Sequence, residues 1–398
     1  MSAGPLRIHL IAGEPSGDRL GAALMRALTR ISARPVTFSG VGGPLMQAAG
    51  LRSLFPADEL AVMGLAEVLP RLPRLLARID QAARDVARAR PDALVTIDSP
   101  SFSLRVARRA RRAAPGLRTI HYVAPSVWAW RPGRAAKMAR HTDHVLALLP
   151  FEPPYMQEAG MSCDFVGHPV VERGGPEDHD AAGLRARLGV SERPLLALLP
   201  GSRAGEVARL AAPFAAAAAR LKAARPDLAV VVPMAEGVAA QVAEAARGWP
   251  FAAHLLDPRG RDPAEAEAEK FAALAAADLA LAASGTVTLE LAAMRTPHVI
   301  GYKANALTAA LLRRLIRVDT GNLVNLLTGR KEIPEFFQDD CAPEALAGAL
   351  APLLSDGPAR ERQLAAADEA LALLGRGGPP PSERAARSVL ARIGAPMR

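Results

Sequence analysis

The stretch LLALLPGSRAGEV, Leu195 to Val207, constrains the fold more than any other part of the sequence. An apolar run of strand length stops at Pro200, turns through Gly201-Ser202-Arg203 and opens into a helical pattern at Gly205. A strand that turns sharply into a helix leaves unpaired backbone N–H groups and the positive end of the helix dipole facing one point. That point favours a phosphate or pyrophosphate. Gly201 lets the backbone approach closely, Ser202 adds a hydroxyl donor, and Arg203 forks two N–H groups onto phosphate oxygens. Read alone, the segment also fits an ordinary strand-to-helix turn with a solvated arginine. The rest of the chain decides between them.

The same unit recurs. Leu6 to Ala12 reads as a strand, followed by the turn Gly13–Asp18 and a helix to about Ile31. Val36 to Ser39 is a second strand, ending at Gly40-Val41-Gly42-Gly43, and Ala93 to Ile97 a third, ending at Asp98. Arg118 to Val123, Val145 to Leu149 and Asp164 to Val166 continue the series. The pattern lapses at GGPEDHD, Gly174 to Asp180, then resumes with strands at Leu195–Leu199, Leu228–Val232, Leu279–Ala282 and Val299–Tyr302. Alternating strands and helices predict α/β architecture with parallel sheets. At 398 residues the chain exceeds one compact core. Two Rossmann-like domains facing a central cleft are expected, over residues 1–172 and 173–380, with a last helix in about 381–398. Doubly wound sheets bind ligands at the carboxyl ends of their strands. Glu14, Ser16, Asp18, Asp98 and Ser126 fall there. Neither glycine cluster is a full GxGxxG, which argues against a dinucleotide in the first half.

A second glycine turn follows Ala283: Ser284-Gly285-Thr286-Val287-Thr288-Leu289-Glu290. Glu290 lies four residues past Thr286, on the same helical face, where a carboxylate accepts both hydroxyls of a ribose. The plainer alternatives are a surface glutamate and an N-terminal hydroxyl. Two anion-favouring turns with such a carboxylate point to a nucleoside diphosphate in the second domain. No GxxxxGK[ST] and no DxD pair is present, and the eight histidines are scattered. His9, His121 and His168 stand in strand contexts, so neither a metal nor a cofactor is expected.

Net charge is +9 and pI about 10.3, which fits an anionic partner (nucleic acid, membrane surface or phosphorylated substrate) or merely an Arg/Ala-rich vocabulary. Arg108-Arg109 and Arg111-Arg112 would serve nucleic acid, yet aromatics make up 4% and do not interleave with them. Nucleic acid is therefore not expected. Cys163 and Cys341 have neither disulfide nor zinc spacing, which implies a reduced, cytosolic compartment. The amino terminus reads as no signal peptide, and no run of about 18 apolar residues is present to span a membrane. Leu60 to Leu76 places Val62, Met63, Leu65, Val68, Leu69, Leu72, Leu75 and Leu76 among Arg71, Arg74 and Arg78. Such a segment suits a membrane interface or an acyl chain, or else a helix packed on the sheet.

Several motifs carry a family resemblance: GEPSGD at Gly13–Asp18, GVGGPLM at Gly40–Met46, MGLAEVL at Met63–Leu69 and IDSPSF at Ile97–Phe102. YVAPSVWAWRPGR at Tyr122–Arg134, FVGHP at Phe165–Pro169, GSRAGEV, SGTVTLE and NLLTGRKEIPEFFQ at Asn325–Gln338 follow in order. With these the chain resembles the bacterial lipid-A-disaccharide synthases, glycosyltransferases of the two-Rossmann-domain GT-B type. One position departs: Val324 stands where proline is expected. The resemblance implies condensation of UDP-2,3-diacylglucosamine with 2,3-diacylglucosamine 1-phosphate, giving the β(1→6) disaccharide 1-phosphate and UDP. It implies Asp98 as the base for the acceptor 6-hydroxyl, with a helix cap as its alternative role. Gly201, Ser202, Arg203, Ser284, Gly285 and Thr286 would hold the diphosphate, Glu290 the ribose, and Asn325 with Gln338 would complete the UDP pocket. Glu14, Ser16, Asp18, Ser126 and Trp128 would line the acceptor side, with Trp128 and Trp130 as sugar platforms or core. Peripheral attachment to the cytoplasmic, anionic face of the inner membrane is implied, as monomer or homodimer. The C-terminal helix would pack back on the first domain or exchange between subunits. The rival readings are a lipid-linked N-acetylglucosaminyltransferase and a UDP-N-acetylglucosamine 2-epimerase.

Overall fold

The central strands are buried along their whole length, as required where helices cover both faces of a parallel sheet. The computed structural model describes residues 4–60, 65–305 and 318–398, with backbone alone at 58 and 65–71. Seven strands form the first sheet: β1 (Leu6–Ala12), β2 (Val36–Val41), β3 (Arg52–Ser53), β4 (Ala93–Ile97), β5 (Thr119–Tyr122), β6 (His144–Ala147) and β7 (Ser162–Phe165). Their order is β3-β2-β1-β4-β5-β6-β7, and every pairing is parallel. Six form the second: β8 (Leu195–Leu199), β9 (Ala229–Pro233), β10 (His254–Leu256), β11 (Leu279–Ala283), β12 (His298–Tyr302) and β13 (Glu335–Phe337). They run β10-β9-β8-β11-β12-β13, again all parallel. Two doubly wound α/β sheets are thus present. The strands β3, β10 and β13, two or three residues each at sheet margins, were not anticipated; runs this short and half-exposed carry no periodic signal.

The chain divides into two compact units, Met1–Pro169 with Gly377–Arg398, and Val170–Arg376. The return of the C-terminus to the first unit has a clear cause. The helix Pro381–Arg392 packs Ala385, Ala386, Val389 and Leu390 against Leu24, Met25 and Leu28 of the helix Pro15–Ile31. A polar latch surrounds this apolar seam. Ser388 Oγ donates to Asp164 Oδ2 at 2.6 Å and shares a 2.8 Å hydrogen bond with His144 Nε2. Arg392 pairs with Asp164 at 3.0 Å, and Arg384 donates to the Phe165 carbonyl at 2.6 Å.

Burial also decides the charge of the histidines. It holds the imidazoles of His9, His144 and His168 down to about 4 and that of His121 to about 3. His9 and His121 stand within β1 and β5 and His144 within β6, whereas His168 follows β7. Glu152 runs the other way: burial pushes its carboxyl up to about 7 despite three N–H donors from Leu148, Leu149 and Trp128.

An imidazole at about 6.5 in the unfolded chain and lower in the fold binds its proton first when unfolded. Its stabilisation is complete above 6.5 and is lost as pH falls towards the folded value. Each contributes at most about 1.4 kcal/mol per pH unit in that window. The four imidazoles outweigh Glu152, so the denaturant midpoint of the first unit is expected to fall between pH 6.5 and 4.5. A flat profile over that range would contradict the buried, neutral assignment.

Candidate active site

In the second unit the pairing of β8 with β11 brings the two glycine turns together. Leu199 lies opposite Ala282, so Pro200–Arg203 and Ser284–Thr286 leave the same carboxyl edge side by side. With β9 and β10 on one side of β8 and β11 to β13 on the other, this is the topological switch point, where doubly wound folds bind ligands.

Gly201 sits at φ 124°, a conformation that disfavours any side chain, and a Cβ there would come within 2.5 Å of Glu206 Cβ. Glu206 is the residue the sequence reading passed over. It lies in the first turn of the helix Ala204–Ala224, only 6% exposed, with its carboxylate folded back over the turn. One oxygen accepts the Ser202 N–H at 3.0 Å and the other meets the Arg203 guanidinium at 2.9 Å. An acidic residue three positions past the cap is the capping-box spacing, so the signal was present in the sequence. The Arg203 side chain remains 63% exposed, anchored at one nitrogen and open at the rest. Ser202 is exposed beside it.

At the second turn Gly285 has φ 153°, open space where a Cβ would stand, and an exposed Thr286 after it. Ser284 Oγ donates to the Gly321 carbonyl at 3.2 Å. Glu290, half-buried one turn further on, is ion-paired with Lys270. That lysine also borders a small hollow lined by Pro233, Met234, Leu256, Pro258 and Arg261, beyond the ends of β9 and β10.

Asn325 is buried and fully committed. Its amide donates to the Ile333 carbonyl at 2.8 Å and to Glu335 at 2.9 Å, and its oxygen accepts the Ile333 N–H at 2.9 Å. Asn325 therefore shapes the loop before β13. Asn322 caps the helix Leu323–Thr328 by accepting the Val324 N–H at 2.8 Å. A proline at 324 would lack that donor. Gln338, at φ 53°, accepts the Ala304 N–H at 3.2 Å.

In the first unit β1 and β4 are the switch-point pair, with Ala12 opposite Ile97. Glu14 is the extended residue before the helix Pro15–Ile31. Ser16 Oγ donates to Asp98 Oδ2 at 3.1 Å, and Asp98 Oδ1 accepts the Ser99 N–H at 2.8 Å. Asp98 and Ser99 both hold left-handed backbone, φ 48° and 44°, which non-glycine residues seldom adopt. The next helix begins only at Ser103, with Phe102 as its cap residue, so Asp98 is not a helix cap.

Two residues expected on the acceptor side are engaged within the first unit. Asp18 is 6% exposed and both its oxygens accept backbone N–H groups, from Leu45 and Met46 at 3.0 Å each. It braces the turn at Gly43, where a Cβ would meet it at 2.6 Å. Trp128, half-buried, donates through Nε1 to buried Glu152 at 3.2 Å and meets the Phe151 ring edge-on. Ser126 is exposed. Of the apolar segment, Val62 and Met63 lie outside the described residues, as do the side chains of Leu65, Val68, Leu69 and Arg71. The helix Leu65–Ala89 packs on the sheet through Ile79, Ala82, Ala83 and Val86, leaving Leu72 and Leu75 half-buried and Leu76 36% exposed. Arg74 and Arg78 both pair with Glu59, at 3.0 and 2.7 Å.

A family model described as Lipid-A-disaccharide synthetase matches residues 8–378. The lipid-A-disaccharide synthase of Ruegeria pomeroyi is 54% identical over 388 residues, 98% of this chain and 96% of that protein. The Rhodospirillum centenum enzyme of the same name is 51% identical, covering 97% and 94%. The chain belongs to the lipid-A-disaccharide synthase family. Among solved structures, the S. aureus MnaA-UDP co-structure aligns with a TM-score of 0.66 at 13% identity, over 98% of this chain and 96% of that one. Acinetobacter baumannii MurG aligns at 0.55 and 15%, over 98% and 99%. At such identities the likeness establishes the fold, GT-B, which this synthase-family chain shares with them.

Removing the Glu206 carboxylate leaves the Ser202 N–H and Arg203 without their partner. Glu206→Ala is expected to cost about 1.5–3 kcal/mol of stability, the range for hydrogen bonds to charged groups, and to weaken UDP at least several-fold by calorimetry. Unchanged UDP affinity would detach this turn from the ligand.

Proposed function

We propose that this chain condenses UDP-2,3-diacylglucosamine with 2,3-diacylglucosamine 1-phosphate, giving the β(1→6)-linked disaccharide 1-phosphate and UDP. It is a hexosyltransferase of lipid A biosynthesis, and the observation that carries this is family membership over nearly the whole chain. The paired turns of the second unit take the diphosphate. Backbone N–H groups at Gly285–Thr286 and the exposed Ser202 hydroxyl serve its oxygens, and Arg203 swings onto them while Glu206 keeps the Ser202 N–H. Glu290 takes the ribose hydroxyls while Lys270 fixes its position. Gln338 borders the nucleotide, and Asn325 holds the loop that shapes its pocket.

In the first unit Asp98 takes the proton of the acceptor 6-hydroxyl. The freed oxygen attacks the anomeric carbon from the face opposite the diphosphate, and the C1–O bond breaks with its electron pair leaving on UDP. Inversion follows from that single displacement. Ser16 orients the Asp98 carboxylate, and its strained backbone keeps that carboxylate at the strand end. The charge on departing UDP is met by Arg203 and the turns, so no metal or cofactor is called for.

Among the described residues no helix is long and apolar enough to cross a membrane. Acylated substrates favour peripheral attachment to the anionic cytoplasmic face of the inner membrane, with Val62 to Leu76 as the contact. The C-terminal helix seats on its own first unit, and the same seat would accept a second copy's helix, so monomer and homodimer both fit. The epimerase and N-acetylglucosaminyltransferase readings are not favoured, since relatives of 47–54% identity are named Lipid-A-disaccharide synthase.

Incubation with the two acylated monosaccharides is expected to yield the disaccharide by mass spectrometry, with UDP-N-acetylglucosamine inert. Turnover of UDP-N-acetylglucosamine alone would contradict the assignment. Loss of a general base costs about 10²–10⁴-fold, so Asp98→Asn is expected to lose turnover on that scale while UDP affinity stays within about twofold. Equal loss of both would make Asp98 structural. Arg203→Ala is expected to weaken UDP, and unchanged affinity would remove it from the site.

A further inference from the structure

The segment Ser126–Arg134, SVWAWRPGR, carries two arginines that the reaction above leaves without a task. Arg131 and Arg134 both lie over one indole, their guanidinium carbons 4.5 and 5.9 Å from the Trp130 ring centroid. Among the described residues neither is paired with a carboxylate, whereas Arg74, Arg78, Arg109 and Arg111 of the same unit all are. Unpaired arginines such as Arg105, Arg108 and Arg112 are exposed and solvated, but Arg134 is half-buried. Burial and the Arg131 charge beside it hold the Arg134 guanidinium below its ordinary value. A half-buried guanidinium held beside a like charge is costly unless an anion joins them.

The fold places this pair at the edge that bears Asp98. Ile97 of β4 lies opposite Tyr122 of β5, and the Asp98 N–H donates to the Tyr122 carbonyl at 3.0 Å. The arginine segment begins there. Arg134 is near enough to His121 to disfavour its charge, and the His121 ring bonds Thr96, two residues before Asp98, at 2.8 Å. Backbone strain gathers at the same edge. Of seven described non-glycine residues with positive φ, four are Asp98, Ser99, Val123 at 83° and Arg131 at 50°. A β-branched residue at such an angle is a genuine outlier, and strain of this kind marks sites more often than scaffolding.

We propose that Arg131 and Arg134, walled by Trp130, form an anion subsite that takes the phosphate monoester of the acceptor sugar. This rests on the glycosyl-transfer reading and deepens it, since only the acceptor carries such a group. A monoester bears about −1.5 to −2 charges at neutral pH, and guanidinium forks bind its oxygens two at a time. Anchored there, the acceptor presents the rest of its sugar to Asp98 on the neighbouring strand end.

The test is steady-state kinetics with 2,3-diacylglucosamine 1-phosphate and with the same sugar lacking the phosphate, for the native protein, Arg131→Ala, Arg134→Ala and Arg134→Lys. The native protein is expected to prefer the phosphorylated acceptor. Each alanine variant should raise its KM at least tenfold, leave the unphosphorylated acceptor's kinetics within about twofold, and leave the KM for the UDP-sugar unchanged. Arg134→Lys should fall between, and exposed Arg131→Ala serves if Arg134→Ala does not fold. Variants that keep the native phosphate preference overturn the subsite while the reaction stands. A native protein that makes no disaccharide from either acceptor overturns the reaction and the subsite with it. If the variants instead lose binding to phosphatidylglycerol vesicles with acceptor KM unchanged, the anion is a lipid headgroup and the acceptor assignment is wrong.

Discussion

Parallel pairing of β1 with β4, and of β8 with β11, is the interaction on which the rest of the structure depends. Each pair joins strands distant in sequence and sets their carboxyl ends level. Winding to left and right from one central strand leaves a gap between the outgoing connections at that point, where backbone N–H groups and helix starts face open space. The first unit fills its edge with Ser16 and Asp98, the second with Gly201–Arg203 and Gly285–Thr286. In the proposed reaction the first edge supplies the proton acceptor and the second the anion cradle.

The polar groups at these edges are held by the protein itself. Glu206 binds the Ser202 N–H and Arg203, Lys270 meets Glu290, Asp18 binds Leu45 and Met46, and Asn325 binds Ile333 and Glu335. A buried polar group without a partner is expensive, and groups satisfied in advance need little rearrangement when charge develops beside them. Among the described residues Arg131 and Arg134, beside the first of these edges, have no carboxylate partner.

The repeating apolar runs made the two sheets and their switch points legible, because strand-length runs ending in glycine or aspartate have few other uses. Gly201, Ser202, Arg203, Ser284, Gly285 and Asp98 were readable as site candidates from those ends. Roles fixed by distant partners were not. Nothing near Asp18 announces that its carboxylate braces Leu45 and Met46, and Lys270 stands twenty residues before Glu290. Trp128 is claimed by Glu152, whose burial no local pattern reveals. Glu206 was readable from its spacing, and it was masked by the more conspicuous GSR beside it.

The proposed reaction requires a uridine diphosphate to dock where the two sheet-to-helix corners after β8 and β11 meet. The most direct measurement is a crystal structure of the chain with UDP. Phosphate oxygens are expected within hydrogen-bond distance of Ser202 Oγ and the Thr286 N–H, with the Arg203 guanidinium turned onto them. A diphosphate bound away from both corners, with Arg203 still on Glu206, would contradict it.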